Sequence, residues 1–181
     1  DIGFVQNLEY WENGRIEGRY EALVSAVRYK GKVITYHLTY LENGMKANLE
    51  APRKFLPPIR SLAGSAVQAM PFSAGVVGIA EGIESALAAY EIFDIPTWAA
   101  TNANNLDSFD IPSRAEKLII FSDNDKIFIG QKSAYSLAWK AKRNGLSVKV
   151  MVPPSKNTDW CDYVFDPEVH SFAESLELES K

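Results

Sequence analysis

The chain has 181 residues, 46% hydrophobic and 23% charged, enough for one domain or two small ones around a real core. No apolar run approaches the length of a membrane span and the N-terminus lacks a signal-peptide layout, so no membrane partner is expected. A net charge of −4 argues against a strong general nucleic-acid binder, and the single cysteine excludes an internal disulfide and fits a reducing, cytoplasmic compartment.

Cys161 with His37 and His170 cannot make a four-ligand zinc site, so a zinc-binding module would have to lie elsewhere. Cys161 has no histidine in a matching context and is not expected to be a nucleophile. The chain opens with Asp1 rather than Met, as an excised piece would. Charge is uneven: residues 1–73 carry 9 Lys/Arg against 7 Asp/Glu, and residues 74–181 carry 10 against 16. An acidic half beside a mildly basic one would suit a polymerase-like site, and would suit an accident of composition nearly as well.

Residues 1–19 are polar with a turn signal at Glu12-Asn13-Gly14. Period-two runs follow, EALVSAVRY and KVITYHLTYL, parted by Lys30-Gly31 and closed by Glu42-Asn43-Gly44. They read as an antiparallel β-meander with a third short strand after Met45, its tyrosines packing on the sheet. His37 falls mid-strand and reads as structural. Arg53 and Lys54, with Lys46 and Arg60, form the densest basic cluster. They could contact phosphates of a template or nucleotide, or be a solvated loop face before Pro57-Pro58. Residues 59–74 are small and Ser/Ala/Gly-rich and read as a connector.

The informative stretch is GVVGIAEGIESALAAY, residues 75–90. A short apolar strand ends at Glu81, Gly82 turns the chain, and a helix follows with Ile83, Leu87 and Tyr90 expected to face the sheet. Glu84 either joins a site with Glu81 or only favours the helix N-terminus. Another strand precedes Thr101-Asn102-Ala103-Asn104-Asn105, read as a turn. The next buried strand, LIIF, ends in Ser122-Asp123-Asn124-Asp125, where alternation lets Asp123 and Asp125 point the same way. A helix over 130–144 with Ala134, Leu137, Ala138 and Ala141 inward and Lys140, Lys142 and Arg143 outward leads to Gly145 and a strand over 147–152. Alternation of strands and helices predicts a mainly parallel α/β sheet. Ligand sites on such sheets lie at the carboxyl ends of the strands. Glu81, Asp123 and Asp125 would therefore share a crevice, and gathered carboxylates of this kind suit Mg²⁺ or Mn²⁺ rather than zinc.

A strand ending in Glu-Gly and opening a helix, followed by a strand ending in Asp-x-Asp, resembles the Toprim domain of primases, topoisomerases, OLD-family nucleases and RecR-type proteins. AEGIESALAAYE, with EYWENG, TYLENGMKA and APRK upstream, is most similar to the Toprim primases of phages, plasmids and other mobile elements. The resemblance implies a Toprim fold over 74–165, preceded by a small antiparallel β subdomain over 1–73 and followed by an acidic, poorly ordered tail over 166–181. Lys156-Asn157-Thr158-Asp159-Trp160-Cys161-Asp162 resembles the family's third acidic stretch, with Cys161 where Asn is more usual. Asp159 and Asp162 would join Glu81, Glu84, Asp123 and Asp125 as metal ligands, or they cap a helix before Tyr163. The implied activity is RNA primer synthesis on single-stranded DNA from nucleoside triphosphates by two-metal nucleotidyl transfer, with a fused or separate replicative helicase as a further partner. A Toprim nuclease and a non-catalytic Toprim module for DNA or helicase binding are the alternatives. No cleavage tyrosine stands in an identifiable context, which disfavours a topoisomerase.

Overall fold

The computed structural model describes residues 1–72 and 74–178. The chain divides into two compact units, Asp1–Leu62 and Ala63–Lys181.

In the first unit, β1 (Ile2–Glu12), β2 (Arg15–Tyr29) and β3 (Lys32–Glu42) form an antiparallel meander. Its three hairpin turns are Asn13-Gly14, Lys30-Gly31 and Asn43-Gly44, and every one of these residues has positive φ. That is the two-residue turn whose twist matches the strands. The third turn leads to β4 (Met45–Lys46), paired to the end of β3, and β5 (Arg53–Phe55) lies antiparallel to β3 with Arg53 opposite Thr39. Residues 2–12, which look merely polar, are a full strand, because their hairpin gives them pairing partners from Ile2–Ser25 to Glu12–Arg15. Tyr10, Tyr20 and Tyr40 meet edge to face with ring centroids 5.1 to 6.3 Å apart, beside Ala22, Leu38 and Ala47. His37 is buried with its ring edge-on to Phe55.

The second unit runs β6 (Ala66–Val67), β7 (Gly75–Ala80), α1 (Ile83–Phe93), β8 (Thr97–Ala99), α2 (Ala103–Asp107), β9 (Ala115–Phe121), α3 (Ile129–Arg143), β10 (Ser147–Met151), a 3-10 turn (Trp160–Tyr163) and α4 (Pro167–Leu178). The strands lie in the order β10-β9-β7-β8-β6. The first four are mutually parallel and β6 is antiparallel to β8. The Toprim-type α/β arrangement, with an antiparallel β region ahead of it, is therefore present. Val77, Ile79, Leu118 and Ile120 are fully or nearly fully buried beneath Leu137, Ala134 and Ala141 of α3.

Three local expectations are corrected. On α1, Ile83 is buried, but Leu87 and Tyr90 are largely exposed, and Ala86, Ala89, Ile92 and Phe93 make the inner face. The inner face thus mixes small alanines with Ile83, Ile92 and Phe93, and leaves Leu87 and Tyr90 on the solvent side. The Asn-rich turn contains a helical turn, α2, because the Asn102 side chain accepts from Asn105 N–H while buried Asn105 donates to Ser65 O and Ala100 O at 2.7 and 2.6 Å. The acidic tail is not poorly ordered over its first part: α4 is capped by Asp166, which accepts from Glu168 N–H, and buries Val169 and Ala173. Its last residues, 179–181, lie outside the described residues.

Candidate metal centre

The carboxyl ends of β7 and β9 are adjacent, with Ala80 registered against Phe121. Side chains that follow these strands therefore emerge side by side. Glu81 follows β7; Gly82, in extended conformation, starts α1, so Glu84 falls in its first turn. A methyl group on Gly82 would stand 3.6 Å from both Glu84 Oε2 and Ser85 Oγ, which places the Glu84 carboxylate back over this turn. Ser85 Oγ donates to Asp123 Oδ1 at 3.4 Å.

After β9, Ser122 is fully buried and Asp123 half-buried. Asn124 fixes the position of the carboxylates on either side of it. Its backbone N–H donates to Thr158 O at 3.0 Å, and its carbonyl accepts from Asn157 N–H at 2.7 Å. Its side chain donates to Pro153 O and accepts from Gln131 Nε2. This pair of backbone bonds clamps the stretch that carries Asp159 against the Asp-Asn-Asp segment. Asp125 Oδ2 accepts the Gly130 N–H at 2.8 Å at the start of α3, a favourable place for a negative charge.

Gly130 is the pivot of the site. A Cβ there would lie 3.0 Å from Asp125 Oδ2, 3.4 Å from the Asp123 carbonyl oxygen and 3.6 Å from Glu81 Oε2. Glu81 and Asp125 thus bring carboxylate oxygens, and Asp123 its main-chain carbonyl, to one residue whose side chain is a hydrogen. Burial, then the charges of Glu81, Asp159 and Asp125, pushes the Asp123 carboxyl up from 3.8 to about 7, against the hydrogen bond from Ser85. Asp159 is close enough for its charge to be felt there.

Asp159 and Asp162 also do what helix-capping chemistry would ask. Asp159 Oδ1 accepts from Cys161 N–H at 2.7 Å, and Asp162 Oδ2 accepts from Asp159 N–H at 3.1 Å. Together they form a capping box on the 3-10 turn. Trp160 anchors that turn, packed edge-on to Phe93 and Phe121 at 5.2 and 5.7 Å. Ser85, Asn124, Gly130 and Gln131 escape a reading of the sequence. Only the spacing of Ser85, four residues after Glu81, gives a signal for any of them.

The basic residues lie in the first unit. Arg53 and Lys54 are on β5 and Lys46 on β4, all alongside the second half of β3. Lys54 Nζ sits over the Tyr10 ring, 3.8 Å from its centroid, and donates to Trp11 O. Arg60 does not join them. Its guanidinium stacks on Tyr29, 3.5 Å from the centroid, and Tyr29 is at the opposite end of the β2–β3 hairpin.

The donor set suits a hard divalent cation. It consists of carboxylates with no thiol or imidazole among them, and burial together with its acidic neighbours disfavours the charged form of Asp123. Among the described residues no group of three or more such side chains is arranged to hold a metal ion by itself.

Comparison with known proteins agrees with this architecture. The Toprim domain family matches residues 76–166, and a domain of unknown function, DUF7146, matches residues 1–68. No curated protein matches the chain. Among solved structures, a DNA primase domain from Pseudomonas aeruginosa is similar at a TM-score of 0.60 and 14% identity, over 93% of this chain and 55% of that one. The RNA polymerase domain of Mycobacterium tuberculosis primase DnaG is similar at 0.52 and 16%, over 94% and 59%. A bacteriophage T7 structure, of lagging-strand DNA polymerase with primase domains of two gp4 subunits bound to an RNA/DNA hybrid and dTTP, is similar at 0.50 and 18%, over 87% and 76%. The likeness is one of fold, and the chain spans little more than half of the first two domains. With half of its length matched and the acidic strand ends of that fold in place, the chain belongs to the Toprim domain family.

Proposed function

We propose that the chain is the catalytic core of a primase, joining ribonucleotides into short RNA primers on single-stranded DNA. The observation that carries this is the convergence of the Glu81 and Asp125 carboxylates on Gly130, with the Asp123 carboxyl close enough to feel both charges, at the ends of two parallel strands. The likeness of fold to primase domains, across both units, supports primase over nuclease.

In this reading Glu81, Asp123 and Asp125 hold Mg²⁺ or Mn²⁺, with Asp159, Glu84 and Asp162 as direct or water-mediated supports. Bound there, the ions supply Lewis acidity for a primer 3′-hydroxyl and charge stabilisation for departing pyrophosphate. Ser85 keeps the Asp123 carboxylate oriented, and Gly130 N–H fixes Asp125. Arg53, Lys54 and Lys46 are candidate contacts for template or nucleotide phosphates, and Arg60 for a more distant part of a strand. Nucleoside triphosphates, a DNA template and a replicative helicase, fused or separate, are the partners this implies.

A priming assay with single-stranded DNA, labelled ribonucleotides and Mg²⁺ or Mn²⁺ tests it. Wild type is expected to give short RNA products, reduced at least about 100-fold by Asp123→Ala through lost charge stabilisation. Metal-dependent degradation of the template, without products and lost in the same variant, would assign a nuclease instead. DNA binding with no change to either nucleic acid would assign a non-catalytic module.

A further inference from the structure

On α3 the inner face is satisfied by the core through Ala134, Leu137 and Ala141. Its outer face is unusual. Tyr135 and Trp139 are 58% and 59% exposed, although burying aromatic surface is normally among the largest gains of folding. Lys132, Lys142 and Arg143 are exposed around them, at spacings that place all five on one side of the helix. Arg143 stands 4.7 Å from the Trp139 ring centroid. The helix has no Asp or Glu, in a chain of net charge −4. At its head Phe128, also exposed, adopts a left-handed conformation, and two residues later Gly130 touches the acidic centre. The stripe from Phe128 to Arg143 is ~22 Å long.

Interleaved aromatic and cationic side chains on one open face match a single-stranded polynucleotide, whose bases stack on rings while its phosphates meet cations. Duplex DNA hides its bases, and a protein partner would not call for a face so free of carboxylates. We propose that the outer face of α3 is a track for single-stranded DNA, with Tyr135 and Trp139 stacking bases and Lys132, Lys142 and Arg143 meeting phosphates. Lys140 is left out because it is paired with Asp107 at 2.8 Å, and Lys132, at the edge of the stripe, also lies within reach of the Asp107 charge. Stacking and phosphate contacts take DNA and RNA alike, and DNA is assigned from the template strand that the primase reading supplies. The proposal rests on the primase reading only for which strand is carried, since the binding itself requires no catalysis.

Fluorescence anisotropy of a labelled oligothymidylate of about 16 nucleotides, titrated with the full chain without metal or nucleotide, tests it. Tyr135→Ala and Trp139→Ala are each expected to weaken binding by about 5- to 100-fold. Trp139→Phe, which keeps a ring, should restore most of that loss. Lys132→Ala and Lys142→Ala should each lower the slope of log affinity against log salt by ~0.7. A duplex of the same length should compete poorly. No binding by wild type, or wild-type affinity in the Tyr135→Ala/Trp139→Ala double variant, overturns the proposal; the latter result would assign the stripe to a protein partner. Tighter binding of oligouridylate overturns the assignment to DNA. If priming fails while stripe-dependent binding persists, the primase reading falls and the track stands.

Discussion

Replacing Gly130 with Ala sets two effects against each other. Gly130 has no positive φ and lies in the first turn of α3, so Ala should favour the helix by ~1 kcal/mol. The new methyl would lie 3.0 Å from Asp125 Oδ2, too close unless the carboxylate withdraws by a few tenths of an ångström. Withdrawal lengthens the 2.8 Å bond from Gly130 N–H, a charge-assisted bond that contributes ~1.5–3 kcal/mol. Only part of it is lost, so global stability should stay within ~1 kcal/mol of wild type. Metal binding has no such compensation, because a withdrawal of a few tenths of an ångström uses up much of the ~0.5 Å within which ligand geometry must be held. Mn²⁺ affinity is expected to fall about tenfold, or ~1.4 kcal/mol, while stability hardly moves. Isothermal titration with Mn²⁺ beside urea denaturation separates the two. An intact Gly130→Ala fold with wild-type Mn²⁺ affinity would refute the view that this glycine spaces the carboxylates.

The Asp123 carboxyl gives a pH signature. Its folded value of about 7 lies above the ordinary 3.8, so the native metal-free protein holds that proton more tightly than the unfolded chain. The resulting stabilisation is full below 3.8 and is lost as pH rises towards about 7, by at most ~4 kcal/mol and less where water screens the site. Urea midpoints of the metal-free chain should therefore fall across that window. Asp123→Asn should flatten the profile, and an unchanged slope in that variant would place the titration elsewhere. Trp160→Ala should cost ~3–5 kcal/mol, because Trp160 is almost fully buried against Phe93 and Phe121. It should also weaken Mn²⁺ binding by freeing Asp159; destabilisation in urea with unaltered metal affinity would show that Asp159 plays no part.

Much of this was legible because local chemistry and tertiary context agree. Asn-Gly and Lys-Gly pairs between period-two runs announced the hairpins, and apolar runs ending in Glu81 and Asp123 announced the strand ends of the acidic centre. Residues 2–12 lacked an apolar rhythm, since their strand character comes from pairing with β2 rather than from burial of one face. Leu87 and Tyr90 followed helical spacing but yielded the inner face of α1 to alanines with Ile92 and Phe93. The contribution of Asp159 was invisible to spacing. It depends on backbone bonds between Asn124 and the Asn157-Thr158 pair, and backbone bonds leave no trace in residue type.

That clamp has a consequence for how the protein matures. Glu81, Asp123 and Asp159 come from three stretches separated by whole strand–helix units, so no early local fragment of the chain contains the complete centre. Closing it is a non-local event, dependent on the sheet being registered first. A cation that prefers the finished centre would bind folded molecules and leave partly folded ones alone, adding ~2.7 kcal/mol at a hundredfold excess over its Kd. Metal would then act as a selective ratchet on the last stage of assembly, favouring only those chains whose final acidic stretch had docked.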